Sequence, residues 1–178
     1  MILGMSVYAF TVVHVVITFI AIASGFVVVF GMIGSHRLGK TTALFLLMTL
    51  LTSVTGFMFF LSSTQAKEFT PATATGVIAM IVFVICVYAR YAKHLYGHWR
   101  WIYAVTAVIS LYLNVFVLIV QSFQKVKLIN PAAPMVGPPF AEPQQFQFAV
   151  AQGAALVIFV MLGLITALKF RRGPGLTN

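Results

Sequence analysis

The sequence has almost no acid. Two of its 178 residues are carboxylates, Glu68 and Glu142, against 11 Lys and Arg, which leaves a formal net charge of +9. Paired-carboxylate acid–base chemistry and acidic metal sites need Asp or Glu side by side, and two glutamates in separate loops supply neither. Cysteine is as scarce: Cys86 stands alone inside an apolar run, so no intrachain disulfide forms and a small buried hydrophobe is expected there. A Gly-rich phosphate loop is missing, and Ser62-Ser63-Thr64 beside Lys67 is too loose for a nucleophile constellation. Charge is also missing from five long stretches, residues 6–33, 41–61, 73–89, 101–123 and 148–170, save Lys169 at the edge of the last. That excludes the intramembrane carboxylate relays and charged pairs of pumps and proton-coupled carriers. The reading is therefore non-catalytic.

What is present is apolar length. The chain is 61% hydrophobic and 7% charged, and a bilayer core about 30 Å thick accepts apolar helices of ~20 residues. The expected fold is an all-α membrane protein, a single domain over residues 1–178 made of five transmembrane helices. Ala21-Ile22-Ala23 has the look of a signal-peptide cleavage site, but no basic residue precedes it and the apolar run continues to Ile33, so a retained helix is expected. No internal repeat is found, and an odd number of spans does not divide into inverted halves.

Orientation follows from the basic residues. Arg37, Lys40, Arg90, Lys93, Arg100, Lys169, Arg171 and Arg172 fall on one side of the membrane, while Lys67, Lys125 and Lys127 fall on the other with both glutamates. The positive-inside rule puts the N-terminus outside and the C-terminus inside. The cations are divided among short loops without a groove-sized patch, which points to anionic lipid headgroups at the inner face and away from nucleic acid. Tyr88, Tyr91, Tyr96, Trp99, Trp101 and Tyr103 accompany them as an interfacial aromatic belt.

The connection at 124–147 is long and contains Pro131, Pro134, Pro138, Pro139 and Pro143, which forbid regular helix. It lies outside and carries Met135, Val136, Phe140 and Phe146, so it is expected to fold over the outer end of the bundle or to dock on a partner, with Pro138, Pro139 and Phe140 as docking residues. Phe57, Phe59 and Phe60 are expected to face outward toward partners.

Polar residues inside spans face protein interior, partners or cavities. Thr11, His14, Thr18, Ala21 and Gly25 share one face of span one; Tyr103, Ser110, Asn114 and Gln121 share one of span four. Span two offers Thr49, Thr52 and Gly56, and span five Gln145, Ala149, Gln152, Gly163 and Thr166. His14 lies ~12 Å below the outer end of its span, at a depth shared by Thr52, Thr55 and Asn114, with Gln121 and Gln152 nearer the surface. His14, Thr52, Asn114, Gln121 and Gln152 are thus the candidate ligand-binding residues, for a haem, a quinone or a lipid headgroup. Asn, Gln and Thr also glue membrane helices together, at about 0.6–2 kcal/mol per interhelical hydrogen bond, and this is the reading the residue types favour. No cofactor is required.

A bis-His haem needs two imidazoles at one depth, and His14 is outer whereas His36, His94 and His98 are inner. His94 and His98 have the i, i+4 spacing of metal ligands on a helical face, but Gly97 and the surrounding cations oppose a metal, and none is expected.

From Arg100-Trp101-Ile102-Tyr103 through Leu113-Asn114-Val115-Phe116 and Gln121-Ser122-Phe123-Gln124-Lys125-Val126 to Pro138-Pro139-Phe140 and Ala151-Gln152, the chain resembles small uncharacterised integral membrane proteins of proteobacteria, over most of its length and most closely in spans four and five. The resemblance implies a bacterial inner membrane with a periplasmic outer side, and implies no reaction. Within it, 129–147 is expanded. The sequence is read as an accessory or assembly subunit of a larger inner-membrane complex, meeting other membrane-protein subunits or further copies of itself; the alternative is a small-ligand protein centred on His14.

Overall fold

The protein is seen in a computed structural model that describes residues 2–34, 36, 38–62, 71–129 and 144–172. The docking residues Pro138, Pro139 and Phe140, and both glutamates, lie outside the described residues.

Five α-helices follow one another: α1 (Val7–Ile33), α2 (Gly39–Ser62), α3 (Pro71–Val87), α4 (Trp99–Lys125) and α5 (Gln144–Arg172). A π-helical turn, Tyr88–Ala92, extends α3. All five are long and apolar enough to cross a membrane, the architecture of a multi-pass membrane protein. Local chemistry sets their ends. Ser6 caps α1 by accepting the Ala9 N–H at 3.1 Å, and α3 begins on Pro71, whose missing N–H costs nothing in a first turn. Helix α4 runs on through Gln124 and Lys125, and α5 starts at Gln144, so residues 124, 125 and 144–147 are helical and were misplaced in the Pro-rich loop. Pro143 is the last proline before α5, and none follows it until Pro174, beyond the helix.

Consecutive helices are antiparallel, as shown by the pairs they bring together: His14 with Thr55, Phe57 with Gly76, Tyr88 with Trp99, and both Phe123 with Phe148 and Tyr112 with Phe159. Helix α1 packs on α2, α4 and α5, and α4 on α1, α3 and α5. These two are the centre. Within their most apolar windows, 44% of α4 is buried but only 6% of α5.

The core is apolar and close-packed. Phe10, Val28, Val29, Phe45, Cys86 and Leu111 are all within 2% of complete burial. A Cβ on Gly25 would stand 2.7 Å from Leu111 Cδ1 and 2.9 Å from Phe45 Cε2, so the bare backbone there lets α1, α2 and α4 meet.

Several expected faces change. Phe57 and Phe59 do not face outward: the Phe59 ring lies 4.9 Å from that of Phe10, and Phe57 lies against Gly76 of α3. Phenylalanine rings gain more from filling interhelical space than from lipid, which is already apolar. Tyr103 is 1% exposed and belongs to the core rather than the aromatic belt, because α4 is enclosed on three sides. Gln145 and Ala149 are exposed, so the inward seam of α5 comprises Gln152, Phe159, Thr166 and Phe170 with Phe148 at its start.

Candidate functional site

Helices α1 and α2 are joined near one end of the bundle by a network of side chains and carbonyls. Thr55 Oγ1 donates to the Leu51 carbonyl one turn back at 2.6 Å. With its single proton committed, it accepts from His14 Nδ1, also at 2.6 Å. That fixes the imidazole as the Nδ1–H tautomer and leaves the lone pair on Nε2. Thr18 Oγ1 donates to the His14 carbonyl at 2.9 Å, so the 3.5 Å approach of Thr52 Oγ1 to Thr18 Oγ1 has Thr52 as donor. Thr52 and Thr55 reach α1 from adjacent turns because residues three apart share a helical face.

The imidazole is also packed. Its ring meets Phe59 edge to face at 5.5 Å between centroids, and a Cβ on Gly56 would lie 3.9 Å from its Cε1. The small residue at 56 lets the ring lie against the α2 backbone. The His14 side chain is half-buried, and Thr18 is 8% exposed.

Asn114, 8% exposed on α4, donates through Nδ2 to Thr49 Oγ1 at 3.4 Å. Thr49 is one turn from Thr52 on α2, so this bond adjoins the His14 network. Gln152 instead donates through Nε2 to the Phe116 carbonyl at 3.1 Å, tying α5 to α4. Gln121 enters neither bond, and its Oε1 is buried without a hydrogen-bond partner, as is Gln152 Oε1.

Of the five candidate residues, then, His14 and Thr52 belong to one network, Asn114 borders it, and Gln121 and Gln152 stand outside it. Residues the sequence reading left out of its candidate list complete the arrangement: Thr55 and Thr18 fix the imidazole, and Thr49 receives Asn114. The signal for Thr55 was present in its depth, but its proton commitment depends on a backbone carbonyl that no spacing reveals. Chemically the network can hold helices together and offers one acceptor lone pair at His14 Nε2; it contains no carboxylate and no nucleophile paired with a base.

At the opposite end, the helical spacing of His94 and His98 is broken. The π-turn ends at Ala92, α4 starts at Trp99, and His94 itself has φ 47°. The two imidazoles therefore do not share a helical face, and among the described residues no three of His, Cys, Asp and Glu group as metal ligands do.

No family model, curated protein or solved structure matches the chain.

Proposed function

We propose that this chain is a non-catalytic accessory or assembly subunit of a larger bacterial inner-membrane complex, with its N-terminus outside and its C-terminus inside. The observation that carries the reading is where the intramembrane polar groups go. Thr52, His14 Nδ1, Asn114 and Gln152 each spend a donor on a neighbouring helix, which is what glue requires, while Thr55 and Thr18 spend theirs on carbonyls of their own helices. The orientation rests on the one-sided distribution of basic residues. The surfaces left to meet partners are the lipid-facing faces, α5 above all, and the proline-rich segment with Pro138, Pro139 and Phe140.

Extraction of the native protein in mild detergent, followed by mass spectrometry of what accompanies it and a visible spectrum, tests the reading. Stoichiometric partner subunits are expected. A lone protein carrying haem or quinone would overturn it.

One observation favours the second reading, a ligand protein for a haem, a quinone or a lipid headgroup: with Nδ1 donating to Thr55, the lone pair is left on His14 Nε2. An axial ligand or a quinol acceptor needs that lone pair. His14→Ala would then remove the bound molecule while leaving the fold, whereas for glue it only lowers stability.

A further inference from the structure

The end of the bundle opposite His14 holds cations for which the described residues contain no carboxylate. The π-turn closes with the Lys93 N–H on the Tyr88 carbonyl at 3.0 Å. The chain then passes through two consecutive left-handed non-glycine residues, His94 at φ 47° and Leu95 at φ 57°. Such a conformation persists only where its surroundings over-determine it, and it concentrates at functional sites, as do π-turns. Here Leu95 is buried, and its N–H reaches the Ala89 carbonyl at 3.2 Å.

This turn fixes the cations onto aromatic faces. Lys93 Nζ lies 5.4 Å from the Tyr88 ring and 5.7 Å from that of Trp99. The Arg90 guanidinium lies 5.5 Å from the ring of buried Tyr103, which in turn meets Phe170 at 6.1 Å; Arg100 lies 5.2 Å from the other ring, Phe170. Two guanidiniums thus bracket an aromatic pair. A ring face answers positive charge but accepts none of the in-plane N–H groups, and Arg90 Nε is buried without a hydrogen-bond partner. What fits a half-buried, stacked guanidinium is an oxyanion that takes its planar fork.

Position distinguishes a lipid from a free anion. Arg90 lies in the last turn of the span Ala74–Ala92, at headgroup depth. Leading to it along α3, Ile81, Val84 and Ile85 expose one apolar face, continued by Tyr88, a track for acyl chains. We propose that Arg90, Lys93 and Arg100 form a defined site for the phosphate of one anionic phospholipid. The site does not depend on which complex the chain joins.

The test uses the full chain in dodecyl maltoside, titrated with dioleoyl phosphatidylglycerol or dioleoyl phosphatidylcholine and read by native mass spectrometry. One phosphatidylglycerol is expected to bind at least tenfold more tightly than phosphatidylcholine, and Arg90→Gln to weaken it about tenfold, the loss of one charge-assisted pairing. Arg90→Lys keeps the charge without the fork and is expected to lose most of the same preference. Lys40→Gln, at the same end but outside the cluster, changes little. Equal binding of the two lipids by the wild-type protein overturns the site whether or not a variant folds. Equal weakening by Arg90→Gln and Lys40→Gln reduces it to diffuse surface attraction and overturns it. Displacement of phosphatidylglycerol by millimolar inorganic phosphate identifies a free-anion site and overturns the lipid assignment.

Discussion

The two ends of this bundle treat polarity in opposite ways. Around His14 the polar groups are neutral, and donors on α1, α2 and α4 are spent on carbonyls and hydroxyls of α1 and α2. Around Arg90 they are charged, stacked on rings, and Arg90 Nε has no acceptor. A neutral network whose donors are spent needs no counter-charge from outside and stabilises helix pairing. A half-buried guanidinium whose Nε meets only ring faces still has an acceptor to gain, and the membrane or another molecule can supply one. Polar content alone therefore does not mark a binding site in a membrane protein; charge without an acceptor for its N–H groups does.

The contrast depends on an apolar waist that keeps the ends apart, and the largest predicted effect breaks it. Gly25→Val places two methyl groups where even a Cβ is within 3 Å of Leu111 and Phe45. Both neighbours are completely buried, so the change is expected to cost about 1–3 kcal/mol as overpacking. Thermal unfolding in detergent measures it. An unchanged unfolding temperature would mean that α1, α2 and α4 are not in tight contact at this point.

The next effect sharpens the neutral end. His14→Phe and Thr55→Val, singly and together, form a cycle whose coupling is expected at about 0.6–1.7 kcal/mol, the range of intramembrane hydrogen bonds. Zero coupling would remove the His14 to Thr55 bond from any account of stability. Asn114→Leu is expected to cost less, under about 1 kcal/mol, because its bond to Thr49 is long at 3.4 Å and the new side chain is similar in size. A larger loss in the unfolding temperature would show that Asn114 carries more than this single bond.

How much of this was legible beforehand differs between the same two ends. Five apolar runs gave five helices, because length and hydrophobicity alone decide what a bilayer accepts. The small-and-polar face of α1 is also the buried one at Thr18, Ala21 and Gly25, since only small residues allow close approach. Which residues pair across helices was not legible. That Thr55 rather than Thr52 meets the His14 imidazole depends on helix rotation by fractions of a turn, and Gln145 and Ala149 fall outside the seam for the same reason. At the Arg90 end the composition was visible, but its organisation was not: a π-turn followed by two left-handed residues has no period to detect. Tyr103 is interior, as its place on one face of span four with Ser110 and Asn114 implies, and not part of the interfacial belt that its type suggests.

The smallest predicted effect tests the charged end by sign rather than size. In detergent without anionic lipid, Arg90, Lys93 and Arg100 repel one another, so added salt should screen the repulsion and stabilise the protein by a few tenths of a kcal/mol, about the scale of exposed ion interactions. With phosphatidylglycerol bound, the dominant interaction is attractive, and the same salt should stabilise less or destabilise. Neutral hydrogen bonds are indifferent to screening, so the cost of His14→Phe should be the same at low and high salt. Unfolding temperatures of the wild-type protein and His14→Phe, each with and without the lipid at two ionic strengths, separate these cases. A salt response of one sign under both lipid conditions would show that the cations at the Arg90 end are already answered within the chain, and the asymmetry between the two ends would disappear.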